Sequence, residues 1–308
     1  MVEIGKTNNS LCFCTSAFGE SYVAMAQLLA QDLHRFASGY PFVIYTDNPQ
    51  AFKSNPNVLA IKHSCRGVLP YHERRFAIWQ ALSIAPSVMY LDADVRICAP
   101  VPESLNFQPG LTARSCGSLQ KRLKAQFNKH PLSSQLQHKK NVIEKMAHRA
   151  GINLDFPELK FINEFLFVIT AHEGRELEFL QLWGDLAIYA DTLGLHKHPT
   201  YAMALAAVKS GFPIYGSKMD GLEFFDDRIE KVRIKKKQSD PTTKTEYLNQ
   251  QRKIEQKDQT LFQRIMKLVT QKSSLFYNRA RVQFTAAVFP SALIAYPAVS
   301  SNFVTPGD

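Results

Sequence analysis

Residues 87–97 read SVMYLDADVRI, an apolar run that closes on two aspartates separated by one alanine. A short continuous apolar run such as Val88, Met89, Tyr90 and Leu91 suits a strand covered on both faces, so this stretch predicts a central strand of a parallel sheet. Asp92 and Asp94 stand at its exit. On an extended backbone, residues two apart project to the same side, and both carboxylates then turn toward one point at the carboxyl edge of the sheet. Open α/β sheets bind ligands at that edge. Adjacent carboxylates repel unless a cation or a proton lies between them, and hard oxygen donors suit Mg2+ or Mn2+. A divalent ion with open positions can take up a diphosphate.

Outward from this stretch, the order of elements predicts an α/β domain. Residues 11–15 (LCFCT) and 41–46 (PFVIYT) read as strands, with residues 58–61 as a short third. Residues 20–36 carry Tyr22, Val23, Ala26, Leu29, Leu33 and Phe36 near the helical period. Residues 72–85 predict a second helix, stopped by Pro86. Residues 98–110, with three prolines, read as a loop, and 111–116 as a strand. The polar segment 117–150 has no strong apolar stripe and reads as an acceptor-facing insertion, a surface helix pair or a mobile loop. Residues 161–170 (FINEFLFVIT) predict a strand containing Asn163 and Glu164, two polar groups that are costly to bury without partners. Residues 173–190 form an amphipathic helix with Leu177, Leu180, Trp183 and Leu186 as core positions. After the loop 194–199 come an Ala-rich helix at 200–210 and a strand at 212–215.

Composition narrows the classes. The chain has 308 residues, 45% of them hydrophobic, enough for a proper core. Its net charge of +10 is unevenly placed. Residues 1–227 carry 22 basic against 21 acidic side chains, whereas 228–281 carry 15 against 5. The body is therefore nearly neutral, and the basicity of the tail gives no reason to expect nucleic acid as a partner. Five cysteines with no zinc-like spacing suit a reduced compartment. The N-terminal MVEIGKTNNS has no apolar signal core, which makes the cytoplasm the expected location and the Asn8-Asn9-Ser10 sequon incidental.

The YLDADV element, the strand at 11–15 and the helix of 72–85 together resemble the Asp-x-Asp region of GT-A-fold glycosyltransferases, particularly the glycogenin-like and galactosyltransferase-like enzymes. The likeness in element order spans residues 10–235 and is specific around 87–96. It implies a GT-A-type, Rossmann-like domain with a mixed, mostly parallel sheet flanked by helices. It further implies transfer of a hexose from a nucleoside diphosphate sugar, a UDP-sugar first, with Mn2+ or Mg2+ held by Asp92 and Asp94, to a glycan, lipid-linked or protein acceptor.

Site roles follow from the same resemblance. Thr15, Ser16 and Tyr22 are placed as base and ribose contacts, with Tyr22 able to stack on a uracil. Arg74 or Arg75 would contact the phosphates through a bidentate fork. Asn163 and Glu164 would lie beside the donor sugar, although the resembled enzymes read Asn-Ser-Gly where this chain has Asn163-Glu164-Phe165. His196 and His198 stand where similar enzymes often carry aspartate, and are candidates for acceptor binding or proton transfer. Those enzymes often complete the metal site with a late histidine, which this chain lacks. Asp220, Asp226 and Asp227 are the available oxygen donors.

Domain boundaries are expected at 1–234 for the catalytic domain and 235–308 for a basic extension, opening on a polar linker whose composition fits mobility. Within it, residues 260–272 predict an amphipathic helix with Leu261, Phe262, Ile265, Met266, Leu268 and Val269 on one face and Arg264, Lys267 and Gln271 opposite. Such a helix can lie in an anionic membrane interface, peripheral to its inner face, or pack on the body. Residues 282–299 are uncharged but contain Pro290 and Pro297, so they do not predict a membrane span. Two other classes fit parts of the sequence. A nucleotidyltransferase would need a Gly-rich basic phosphate loop after the first strand, where this chain has SAFGES; a non-catalytic binding or scaffold protein would keep the fold alone.

Overall fold

The computed structural model describes residues 10–103, 105–128, 131–255 and 261–299, with the side chains of 241, 243, 261–265 and 267 outside the description. In chain order the elements are β1 (Leu11–Ala17), α1 (Glu20–Phe36), β2 (Phe42–Thr46), β3 (Val58–Lys62), α2 (Arg74–Leu82), β4 (Ser87–Leu91) and β5 (Arg96–Ile97). There follow β6 (Gly110–Ala113), β7 (Cys116–Ser118), α3 (Leu119–Phe127), α4 (Ser134–Ala150), β8 (Lys160–Ile162), β9 (Leu166–Thr170) and α5 (Arg175–Thr192). The chain continues through α6 (Thr200–Ser210), β10 (Ile214–Gly216), β11 (Phe224–Phe225), α7 (Asp227–Lys235), α8 (Thr245–Glu255), α9 (Leu261–Val288) and α10 (Pro290–Ile294).

Seven strands form one sheet in the order β10-β6-β9-β4-β1-β2-β3, all parallel except β9, which runs against both β4 and β6. The central strands β1, β2, β4 and β9 are mostly apolar because both of their faces are covered, whereas the edge strands β3 and β10 are partly exposed. Leu11, Phe13, Phe42, Ile44, Met89 and Leu91 face α1, whereas Cys12, Cys14, Val43, Tyr45, Val88 and Tyr90 face the layer of α2, α4, α5 and α6. Both cysteines of β1 thus act as small core residues.

Several sequence expectations change. The single strand expected at 161–170 is two: β8 pairs with β7 in a separate ribbon, β9 joins the main sheet, and Asn163, Glu164 and Phe165 form the break. The strand expected at 111–116 also divides, into β6 and β7. Residues 117–150 bury Leu119, Leu123, Val142, Ile143, Met146 and Ala147, so α3 and α4 belong to the core layer. Leu177, expected in the core, is exposed on α5.

The extension is not a free linker where it is described. Tyr247 of α8 stacks on Phe225, and Gln250 accepts from Arg96 at 2.6 Å. On α9, Val282 is fully buried with Val68, Ile188 and Leu293. Arg281 donates to the carbonyls of Cys65, Arg66 and Gly67, and the Tyr296 hydroxyl donates to Leu180 at 2.7 Å. The expected apolar face of α9 leaves Met266, Leu268 and Val269 exposed, while Leu261, Phe262, Arg264, Ile265 and Lys267 have side chains outside the described set. Residues 1–9, which hold most of the sequon, and 256–260 also lie outside it. Among the described residues no helix is long and apolar enough to cross a membrane.

Candidate functional site

Parallel strands deliver their carboxyl ends to one edge. β9 runs the other way and brings its beginning to that edge, so residues 163–165 arrive beside the end of β4 although 71 positions separate Asp92 from Asn163 in sequence. The junction is explicit: the Asp92 amide donates to the Phe165 carbonyl at 2.8 Å. Asp92 also closes a tight turn by accepting from the Val95 amide.

Four charged side chains from other elements converge on the aspartates. Arg74, the first residue of α2, places Nη2 3.2 Å from Asp92 Oδ1 and donates through Nη1 to the Glu164 carbonyl at 2.9 Å. Its guanidinium lies over the Tyr90 ring, 5.0 Å from the centroid. β11 pairs with β5 immediately after the aspartates and thereby sets Asp226 and Arg228 against them. Asp226 caps α7 by accepting from the Ile229 amide, and Arg228 Nη2 lies 3.1 Å from Asp226 Oδ2 and 3.5 Å from Asp92 Oδ2. Glu164 turns away from solvent and accepts from the Thr200 amide at the start of α6 at 2.7 Å.

The charges are tuned by these contacts. Burial, then Asp92 and Asp226, push the Asp94 carboxyl up to about 7, with Arg228 opposing. Burial lowers the Arg74 pKa, but Asp92, Tyr90 and Glu164 outweigh it and hold the group above its ordinary value. Glu164 is raised by burial, against the pull of Arg74 and of the Thr200 amide. Tyr22 is half exposed and is raised by burial and by Asp94, which places its phenol at the mouth of the site with the exposed Tyr71.

The residues singled out from sequence divide into two sets. Asp92, Asp94, Arg74, Glu164 and Tyr22 come together. Asn163 is exposed next to them and lines a cavity of about 540 Å3 with Arg114, Phe165, Ile229 and Arg233. Thr15 is fully buried, its hydroxyl donating to the Leu91 carbonyl at 2.7 Å, so it fixes the end of β4 and has no free donor for a base. Ser16 is half-buried, with its hydroxyl oxygen enclosed beside the Tyr90 phenol.

Arg75 is one helix step from Arg74 and faces another way, donating to the carbonyls of Leu293 and Ile294 in the tail. The phosphate role considered for it belongs to no contact it makes. His196 likewise has both ring nitrogens engaged: Nδ1 pairs with Asp191 at 2.9 Å, and Nε2 accepts from Arg279 at 2.9 Å. It ties α9 to α5. His198 instead stays at the surface, held at φ 66 and set edge-on to Tyr201.

Sequence reasoning passed over Arg228 altogether and named Asp226 only as one of three available acids. The available signal was the Asp226-Asp227-Arg228 triplet, but only the β5–β11 pairing says which carboxylate returns to Asp92. Asp227 pairs with Lys231, and Asp220 is exposed. For a divalent ion, the donor chemistry fits: Asp92 and Asp94 offer hard oxygens, and a cation would offset both the burial and, after it, the Asp92 charge that raise the Asp94 pKa. Among the described residues no three His, Cys, Asp or Glu side chains converge as a ready-made cage. Such an ion would therefore keep several positions for water or phosphate, which is the habit of Mg2+.

Comparison with known proteins gives little beyond this geometry. No protein-family profile matches the chain. No curated protein matches it either. Among solved structures it is similar to the apo structure of the bifunctional glycosyltransferase WbbM, at 10% identity and a TM-score of 0.40, over 75% of this chain. The chain spans 45% of the length of that protein.

Proposed function

We propose that this protein is a metal-dependent glycosyltransferase of GT-A type that moves a hexose from a nucleoside diphosphate sugar, a UDP-sugar in the first instance, to a glycan, lipid-linked or protein acceptor. The observation that carries the reading is the Asp92–Asp94 pair at the carboxyl edge of the sheet, flanked by Arg74 and Arg228. Two carboxylates and two guanidiniums at one sheet edge provide for both a cation and a diphosphate.

Asp92 and Asp94 would hold Mn2+ or Mg2+, which when bound offsets the charge that develops on the leaving diphosphate. Arg74 holds Asp92 and the Glu164 carbonyl in fixed register, so the edges of β4 and β9 stay aligned while the donor binds. Arg228, anchored on Asp226 but exposed along its length, can swing from Asp92 to a phosphate oxygen. Tyr22 and Tyr71 offer exposed aromatic faces beside the acids for the base. Asn163 would meet the sugar, and Glu164, next in sequence and held by the Thr200 amide, would orient a hydroxyl. Phosphate is already a fair leaving group, so positioning and charge stabilisation supply most of what the step needs.

The decisive experiment is hydrolysis of a panel of UDP- and GDP-hexoses with and without Mn2+, alongside calorimetric binding of UDP. Metal-dependent turnover that disappears in Asp92→Asn and Asp94→Asn is expected. No turnover and no nucleotide binding by the wild type would leave a scaffold protein of the same fold as the better reading.

The proposal places the protein in the cytoplasm, against the inner face of an anionic membrane through residues 231–277. Exposed Phe276 and Tyr277, on a helix that also carries the exposed Lys272, support this. Sedimentation with anionic vesicles at low salt tests it. Phe276→Ser/Tyr277→Ser should remain in the supernatant; cosedimentation equal to wild type would remove the membrane from the reading.

A further inference from the structure

Beside Glu164 the surface carries a second charged feature of the opposite kind. Four elements meet around Tyr201, the second residue of α6. From α4, Lys139 Nζ lies 5.0 Å from the centre of the Tyr201 ring. From the loop before α6, His198 stands edge-on to the same ring, with centroids 6.2 Å apart. From α3, Gln126 accepts from the Tyr201 hydroxyl at 3.3 Å, and one turn earlier on the same helix Arg122 packs 3.6 Å from the centre of the Phe161 ring. Phe161 is two residues from Asn163 and three from Glu164.

Among the described residues neither Arg122 nor Lys139 forms an ion pair or a hydrogen bond; each rests on an aromatic ring instead. They also act on one another. Burial, then Arg122, lowers the Lys139 pKa, with Glu164 opposing. Burial, then Lys139, Lys197 and Arg122, lowers that of His198. Like charges gathered in this way cost stability unless something negative completes them. The chain holds them together nonetheless: Lys139 and Arg122 come from two helices, α4 and α3, and His198 sits beside them with a left-handed backbone, φ 66. Glu164, the carboxylate that acts on Lys139, is already committed to the Thr200 amide and to the field of Arg74.

We propose that Arg122, Lys139 and His198, grouped about Tyr201, form an anion subsite that receives a phosphate carried by the acceptor. This rests on the glycosyl-transfer reading and adds the substrate class: an acceptor that is itself a phosphate ester. A guanidinium fork, an ammonium and an imidazole match the several oxygens of a phosphate, whereas a single carboxylate would engage only part of the set. The subsite is joined to the metal site through Glu164, whose carbonyl is held by Arg74 and whose carboxylate is held at the first turn of α6. An acceptor anchored by its phosphate at Lys139 would then present its hydroxyl toward Asn163 and Asp92.

A soluble sugar phosphate and a lipid headgroup both carry such a phosphate, and two arms of one experiment separate these sources. In the first, calorimetry compares glucose 6-phosphate with glucose on the full chain without nucleotide or metal. In the second, sedimentation compares phosphatidate-containing vesicles with phosphatidylcholine vesicles. Each is repeated on Arg122→Gln/Lys139→Gln, whose folding is checked by its melting temperature, and on His198→Gln. The expected result is preference for the phosphorylated ligand in at least one arm, weakened at least tenfold by the double substitution and about threefold by His198→Gln. The arm that responds names the source. No preference for phosphate in either arm, or a preference that the double substitution leaves intact, overturns the proposal. UDP binding with Mn2+ is measured in parallel on the wild type; its loss would count against the nucleotide-sugar reading while leaving the phosphate result to stand or fall by itself.

Discussion

The Arg74 guanidinium reaches Asp92 Oδ1 at 3.2 Å with one nitrogen and the Glu164 carbonyl at 2.9 Å with the other. One side chain thereby locks the end of β4 to the start of β9. Arg74→Lys keeps the charge but cannot span both acceptors, and we expect UDP–Mn2+ affinity to fall about tenfold, or about 1.4 kcal/mol. Arg74→Ala removes the donor to the Glu164 carbonyl and leaves Asp92 with Arg228 as its ion-pair partner, and should cost about 1–3 kcal/mol of stability. Calorimetry and thermal melts read the two effects separately.

Asp94, pushed up to about 7 by burial and then by Asp92, holds a proton over much of the range below neutrality. A cation bound there must displace that proton. Apparent Mn2+ affinity should therefore climb up to about tenfold per pH unit as pH rises toward 7 and level off above it. Titrations at pH 6, 7 and 8 test the slope, and Asp94→Asn should flatten it. Equal wild-type affinity at all three would show that Asp94 is no ligand.

Gly184 of α5 lies directly under Arg75: a Cβ there would sit 2.8 Å from Arg75 Nη1. The guanidinium is buried and tied to Leu293 and Ile294, so it has little room to yield. Gly184→Ala should destabilise by about 1–3 kcal/mol and loosen α10 from the body. Limited proteolysis should cut near residues 289–299 faster than in the wild type; an unchanged cleavage pattern would argue that Arg75 does not hold the tail.

His72 is buried between α2 and α5, where it accepts from Trp183 Nε1 at 3.1 Å. Burial first, then Arg74, Arg75 and His196, push its pKa down to about 3. Between that value and the unfolded value near 6.5, the unfolded chain binds a proton that the folded chain refuses. The His72 contribution is thus whole above about pH 6.5 and is lost as pH falls toward 3. From pH 7 to 5 the loss should be on the order of 2 kcal/mol. His72→Gln, which can still accept from Trp183, should lack that part of the slope in denaturant titrations at the two pH values.

How far the sequence reached can be judged from particular residues. The run from Val88 to Asp94 carried its own structure, because burial on both faces and the placement of two acids at a strand exit are local properties. Arg74 and Arg75 show where this stops. They are adjacent and chemically identical, yet a helix turns about 100° per residue, so one meets Asp92 and the other meets the tail. His196 and His198 part for a related reason: α9 returns from far along the chain to occupy the first and leaves the second at the surface.

From the sequence alone came the α/β class, the two-faced strands, the acid pair and the segregated charge, since each follows from periodicity or composition within a short window. Only the tertiary structure decided that β9 runs antiparallel and carries Glu164 to Asp92, that β11 returns Asp226 and Arg228 to the same point, and that the basic tail docks through Arg281 and Val282. These are long-range pairings. The free energy that selects them comes from surfaces buried between segments far apart in the chain, and no local pattern records which distant segment will cover which.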